Sequence, residues 1–301
     1  MHPCRHGERR AAMIDSPAER YRSHPVDPDR VRASLNQVIY RDAQHAIRIR
    51  DVVASLQRAG VGVYVAGGAC RDWLTGAAVK DVDLSLDVPV TRAHEVLRRD
   101  FPDIDPVLAI AERVGMLRWG DASSGGVDLN ILRSHHDIQN DSMGTTTFVS
   151  RTDLREDALM RDFSVNAFYY PCDGSDRLLD PLDCGLDDVY RCMLRIVAHR
   201  RVLDTSYRMT CRIVQFLCRG YTPTPSIDEH LEHHADRDIQ GLGERITGFL
   251  TSHLVSATVE QQAEFQRRLY ACVRQDASRE VLDHAFAQLA ARRPPAGSPA
   301  G

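Results

Sequence analysis

Lysine is all but absent from this chain. Of its 38 basic residues, all but Lys80 are arginine. A genomic codon bias accounts for that skew. A position that keeps lysine against the bias calls for a compact ammonium rather than a planar fork. The 8 cysteines contain no CxxC pair and no zinc-finger spacing. That excludes a thiolate zinc site and fits unpaired thiols in a reducing cytoplasm. No apolar run is long enough to span a bilayer, and Met1–Arg10 is polar with no apolar run after it. Neither a membrane span nor a signal peptide is read. Net charge is only −4, so the chain is not a general polyanion binder. Contact with nucleic acid needs a local patch.

What is present allows one sizeable or two modest domains: 301 residues, 43% of them hydrophobic. Met1 to about Pro25 is polar and weakly periodic and reads as a disordered leader. The Pro/Gly/Ala-rich tail from Arg292 reads the same way. From Val61 to Arg133, strand-like runs (GVYVA, VDLSLDV, VGMLRW, GVDLNIL) alternate with the helical TRAHEVLRRD, a mixed α/β pattern. From Asp153 the pattern is mostly helical, apart from a hairpin around RLLDPLD. Leu203–Arg219 and Glu260–Arg274 are the clearest later helices.

The densest chemistry lies in GGACRDWLTGAAVKDVDLSL, from Gly67 to Leu86. Glycines after a strand permit positive φ and close backbone approach. The helix they open points free N–H groups at the turn, a place for phosphate. Arg71 in its first turn can reach that phosphate as a charged fork. The spacing is neither GxGxxG nor GxxxxGK[ST], so neither a dinucleotide fold nor a P-loop is supported. Asp81 and Asp83, two apart on a predicted strand, share a face. Their repulsion is relieved by a hard cation such as Mg²⁺. A third carboxylate from a neighbouring strand completes two-metal phosphoryl chemistry, and GVDLNILR offers Asp128.

These residues resemble the head domain of class II tRNA nucleotidyltransferases (CCA-adding enzymes) and bacterial poly(A) polymerases, in the polymerase-β-like superfamily. The family's GGxVRDxLLG and kDxD stand here as GGACRDWLTG and KDVDL. VDLNILR, LREDALMRDFSVNAFYY and LLDPLDCGLDDVYRCMLRIV follow in the family's order. The resemblance implies an α+β fold: a head of mixed sheet and helices, then an all-helical neck and body. It divides the chain into leader 1–25, head 26–150, neck 151–220, body 221–292 and tail 293–301. It implies two Mg²⁺ ions on Asp81 and Asp83, with Asp128 as the third catalytic carboxylate. It places Gly67, Gly68 and Arg71 on the triphosphate, with Asp72, Lys80 and Arg133 also at the nucleotide. Arg161, Asp162 and Asn166 would contact ribose or base. The implied reaction is attack of the 3′-hydroxyl of tRNA or another RNA on the α-phosphate of CTP or ATP, with no DNA and no membrane partner.

The chain also departs from the pattern. Met160 replaces the first arginine of the family's RRD. The base-selecting EDxxRxLR-like element is LDTSYRMTCRIVQF here. Two readings of it stand. In one, Asp204, Arg208 and Arg212 lie on one helical face and form a shifted selector. In the other, Asp204 and Arg208 are a surface ion pair. Phe249 replaces the second acid of an ERIxxEL-like element. About 70 residues follow the neck, too few for a full tRNA clamp. Seven arginines against one aspartate in Arg191–Arg219 form a patch suited to triphosphate or an RNA end. His230, His233 and His234 read as surface histidines, and Cys211 and Cys218 as core. Three functions are compatible with this sequence: an RNA 3′-end nucleotidyltransferase, the same head acting on a small molecule or protein, and a non-catalytic binder. Retention of all three carboxylates favours catalysis.

Overall fold

The computed structural model describes residues 20–102, 104, 107–121, 125–140, 146–147, 153–254 and 257–291. In chain order the head begins with β1 (Arg22–Pro25), α1 (Pro28–Leu35), β2 (Val38–Arg41), β3 (Ala46–Arg48) and α2 (Ile49–Arg58). There follow β4 (Val63–Ala66), α3 (Gly68–Thr75), β5 (Asp83–Leu86), α4 (Val90–Asp100), β6 (Val107–Ala111), β7 (Met116–Trp119) and β8 (Val127–Ile131). Next come β9 (Gln139–Asn140), β10 (Thr146–Thr147), α5 (Leu154–Ala158), β11 (Tyr169–Pro171), β12 (Arg177–Asp180), α6 (Gly185–Tyr190) and β13 (Met193–Leu194). The remainder is α7 (Arg200–Thr205), α8 (Met209–Leu217), β14 (Thr222–Pro223), α9 (Pro225–Leu242), α10 (Arg245–Leu254), α11 (Val259–Cys272) and α12 (Asp276–Ala291).

One eight-stranded sheet in the order β1-β12-β11-β4-β5-β8-β7-β6 organises the head. Only β5 and β8 run parallel; the other neighbours are antiparallel. Alternation along β5 sends Leu84 and Leu86 into the core and leaves Asp83 on the other face. Helices α2 and α4 close that core. In α2, Ile49, Val52, Val53 and Leu56 recur at helical spacing and are all buried. Asp51 accepts from the Arg48 N–H at 2.8 Å and closes the start of the helix. Each such aliphatic side chain contributes about 1.5–3 kcal/mol on burial. A separate core built from α8 to α12, with Val214, Ile239, Leu250, Phe265, Leu269 and Leu282 at its centre, holds the helical part together.

The α+β architecture matches the sequence reading, with differences of detail. The sheet runs past residue 150, because β11 and β12 add to β4. The hairpin expected around RLLDPLD is formed by β11 and β12. The expected leader contributes β1 to the same sheet; its first 19 residues, like tail residues 293–301, lie outside the described residues. The single helix expected over Leu203–Arg219 is two, α7 and α8, broken at Ser206, whose backbone is extended. Among the described residues no helix is long and apolar enough to cross a membrane.

Candidate active site

Strand β4 delivers the chain to Gly67, whose φ of +79° is a conformation that side chains avoid. Helix α3 starts at once, and no side chain caps its first N–H groups. Arg71, in its first turn, is clamped by Asp72 through two bonds of 2.9 and 2.7 Å and also donates to Asn166 Oδ1. Its guanidinium lies 5.4 Å from the centre of the Phe216 ring. The turn therefore presents backbone donors beside a cation that is already fixed.

The register of the sheet sets Asp83 of β5 directly opposite Asp128 of β8. Asp81 sits just ahead of β5 rather than within it. Burial pushes the Asp83 carboxyl above its ordinary range; nearby Arg161 opposes this, and Asp128 and Asp81 add to it. Asp128 Oδ1 is buried and accepts no hydrogen bond; the Arg118 Nε lies 3.5 Å away. Among the described residues no three acidic, histidine or cysteine side chains converge into a ready-made cage. Mg²⁺ does not require one, since it binds through one or two carboxylates and completes its shell with water and phosphate. Crowded carboxylates and an orphaned buried oxygen fit a hard divalent cation.

A cleft of about 790 Å³ opens beside Asp83. It gathers Gly68, Arg71, Asp72, Lys80, Asp81, Asp83, Asn166 and Arg212 from the sequence-predicted set. Gly67 adjoins it at the end of β4. The lone lysine thus lines the same cleft as three of the predicted acidic residues. Helices α8 and α10 close the far wall with Gln215, Phe216, Ser252 and His253, and Arg219 and Tyr221 follow α8. His253 Nδ1 lies 2.8 Å from the Phe249 carbonyl oxygen, so Nδ1 carries the hydrogen and Nε2 is an acceptor. Burial lowers its pKa; the Phe249 carbonyl opposes this, and Arg212, Arg219 and Lys80 lower it further. The wall is cationic around a neutral imidazole.

Other predicted residues work from behind the cleft. Arg161 is largely enclosed, donating to Asp157 at 2.8 Å and Ser85 at 3.0 Å. Arg133 lies on the same buried Asp157, 3.9 Å away. Asp162 is spent on positioning: it accepts from Arg212 Nε at 2.5 Å and from Asn166 at 2.9 Å. Asp162→Ala is therefore expected to raise the KM for nucleotide about tenfold, the size of a charge-assisted contact, with a smaller change in kcat in steady-state assays.

Asp204 and Arg208 do not join Arg212. Asp204 lies in the last turn of α7, exposed and paired at 4.0 Å with Arg200, and Arg208 lies beyond the break at the start of α8. Neither the shifted selector nor an Asp204–Arg208 pair is formed. The arginine patch disperses likewise: Arg212 and Arg219 line the cleft, while Arg195 pairs with Asp188 at 2.9 Å. His230 is buried, with Nε2 at 2.9 Å from Asp238, rather than on the surface. Cys211 is core, but Cys218 is exposed.

The antiparallel-flanked β5–β8 pair, its facing carboxylates and the glycine turn meet at one cationic cleft. Residues 63–195 match the model of the poly A polymerase head domain family. Over 221 residues the chain is 25% identical to poly(A) polymerase I of Haemophilus influenzae, covering 68% of this chain and 45% of that protein. Over 188 residues it is 27% identical to the CCA-adding enzyme of Latilactobacillus sakei, covering 61% of this chain and 44% of the other. Among solved structures, a CCA-adding enzyme in an apo form superposes with a TM-score of 0.53 at 18% identity, over 73% of this chain and 51% of that one. A tRNA-processing enzyme with CTP gives 0.50 at 19% identity, over 75% and 58%. The chain spans less than half the length of the curated relatives named here.

Proposed function

We propose that this protein transfers a nucleoside monophosphate, C or A, from CTP or ATP to the 3′-hydroxyl of tRNA or another RNA in the cytoplasm, without a template. The observation that carries this reading is the register of Asp83 against Asp128 at the edge of a cleft lined by Lys80, Arg71, Arg212 and Arg219. Asp81 and Asp83 would hold Mg²⁺, with Asp128 as third carboxylate; the bound ions would stabilise the attacking and leaving oxygens. The free N–H groups at the start of α3 and Arg71 grip the triphosphate. Lys80, Arg212 and Arg219 offset the charge that develops on the departing pyrophosphate. The O3′–Pα bond forms as the Pα–O bond to pyrophosphate breaks in line. The chain's own part is positioning and charge.

A second reading keeps the same head but gives the nucleotide to a small molecule or a protein. The placement of Asp204 and Arg208 away from the cleft favours it. Incubation with Mg²⁺ and each α-labelled NTP, with and without a tRNA pool trimmed of its 3′ end, separates the two. Label entering RNA from CTP or ATP, and lost on chelation, is the expected result. Pyrophosphate release with no RNA label, once cell extract is added, would replace the first reading with the second.

A further inference from the structure

The sheet face that carries the carboxylates continues to a cation outside the nucleotide cleft. In register, Ala66 of β4 stands opposite Asp83, Asp83 opposite Asp128, and Asp128 opposite Arg118 of β7. Directly opposed residues on neighbouring strands share a face. The row runs from the glycine turn, through two carboxylates, to a guanidinium. Lys80, Arg71, Arg212 and Arg219 line the cleft beside Asp83; Asp128 and Arg118 lie beyond that lining. Among the described side chains of β6, β7 and β8, Arg118 is the one cation. Its side chain is 48% exposed and is steadied by a 2.8 Å bond to the Gly125 carbonyl.

We propose that Arg118 binds the acceptor RNA, holding a phosphodiester next to the terminal sugar whose 3′-hydroxyl attacks. The inference rests on the reading of this protein as an RNA 3′-end nucleotidyltransferase. In-line displacement sets the attacking and leaving oxygens on opposite sides of the α-phosphorus. The leaving pyrophosphate belongs with the cations of the cleft. The attacking hydroxyl therefore arrives from the far side of the carboxylates, past Asp128. An RNA end brings its own phosphates with it, and a chain of net charge −4 must meet them with a local cation. A guanidinium offers a phosphate two parallel donors, and the Asp128 carboxylate beside it keeps that fork close to the reacting centre.

The rival role for Arg118 is to brace Asp128 alone, and the two part company in RNA binding. Arg118→Gln and Arg118→Lys should be compared with the wild type in steady-state transfer and in binding of a fluorescein-labelled, 3′-trimmed tRNA pool over a salt series without NTP. Arg118→Gln is expected to weaken RNA binding and raise the RNA KM about tenfold, as for one charged contact. The slope of log affinity against log salt should become shallower by about 0.7–0.9, and the NTP KM should stay within about twofold, since no contact to the triphosphate is lost. Arg118→Lys should keep most of the RNA affinity. Unchanged RNA affinity and salt slope in Arg118→Gln, with kcat alone reduced, would overturn the inference and leave the parent reading intact. A wild-type protein that labels no RNA would overturn both.

Discussion

Asp83→Asn is expected to reduce nucleotide transfer by on the order of 10³-fold or more, while the metal-free fold stays as stable as before or gains stability. The two effects share one cause. Burial pushes the Asp83 carboxyl up, Asp128 and Asp81 add to that, and Arg161 and Arg118 oppose it. Asparagine keeps the shape and removes that conflict, so the empty site relaxes. On the proposed reading the same charge is what a divalent ion needs, and its loss would remove both the ion and the field that steers the α-phosphate. Thermal melting separates the roles. In EDTA the variant should melt at or above the wild type. Mg²⁺ should raise the Tm of the wild type and leave the variant unmoved, since only a protein that binds the ion is stabilised by it. Transfer within about tenfold of wild type, a loss too small for a group that holds the metal, would remove Asp83 from the chemistry. A marked fall in Tm in EDTA would make it a structural residue instead.

The candidate cleft was legible where its residues are local in the chain. The strand, turn and helix of GVYVAGGACRDW lie together in the chain, and Asp81 and Asp83 follow close behind. Asp128 could be named because VDL follows a strand-like alternation, but only the parallel pairing of β5 with β8 brings it opposite Asp83. The distant wall was not legible. Ser252 and His253 carry no motif, and α10 reaches the cleft through the packing of the helical core.

The break between α7 and α8 shows how tertiary contacts override a continuous pattern. Apolar spacing runs through Ser206 and Tyr207 without interruption. In the fold, Asp238 of α9 accepts from the Thr210 N–H at 3.0 Å and its hydroxyl at 2.9 Å, so α8 is capped by another helix. Tyr207 lies against Gly241 so closely that a Cβ there would come 2.2 Å from the ring. Asp238 also takes the His230 Nε2, which is why that histidine is buried while His233 is exposed. No reading of helical spacing alone separates the two. Strands β1 and β11 escaped for a similar reason, since their pairing is settled by partners far away in sequence.

Asp157→Asn is expected to be the most destabilising single change in the head, by about 3–5 kcal/mol, the usual loss when one member of a buried ion pair is neutralised. Asp157 is fully buried and accepts from Tyr169 Oη at 2.6 Å, Arg161 at 2.8 Å and the Arg133 N–H at 2.8 Å. Burial alone would push its carboxyl up. Arg161 and Arg133, with the Tyr169 hydroxyl and the Arg133 N–H, outweigh that and hold it below the ordinary carboxylate range. A lowered carboxyl contributes stability above the unfolded-state pKa of about 3.9 and loses it as pH falls through the depressed value. Urea unfolding at neutral pH should show the deficit, and a series toward pH 3 should show the wild type falling toward the variant. The loss should reach the chemistry as well, because Arg161 joins Asp157 to Ser85 on β5 and sits beside Asp83. With its counter-charge gone, Arg161 would lean more strongly on the Asp83 carboxylate and compete with the metal, so the Mg²⁺ concentration needed for transfer should rise. A variant within about 1 kcal/mol of wild type, the range of an exposed ion pair, would mean that solvent reaches Asp157 and that the carboxylate is no keystone between the neck and β5.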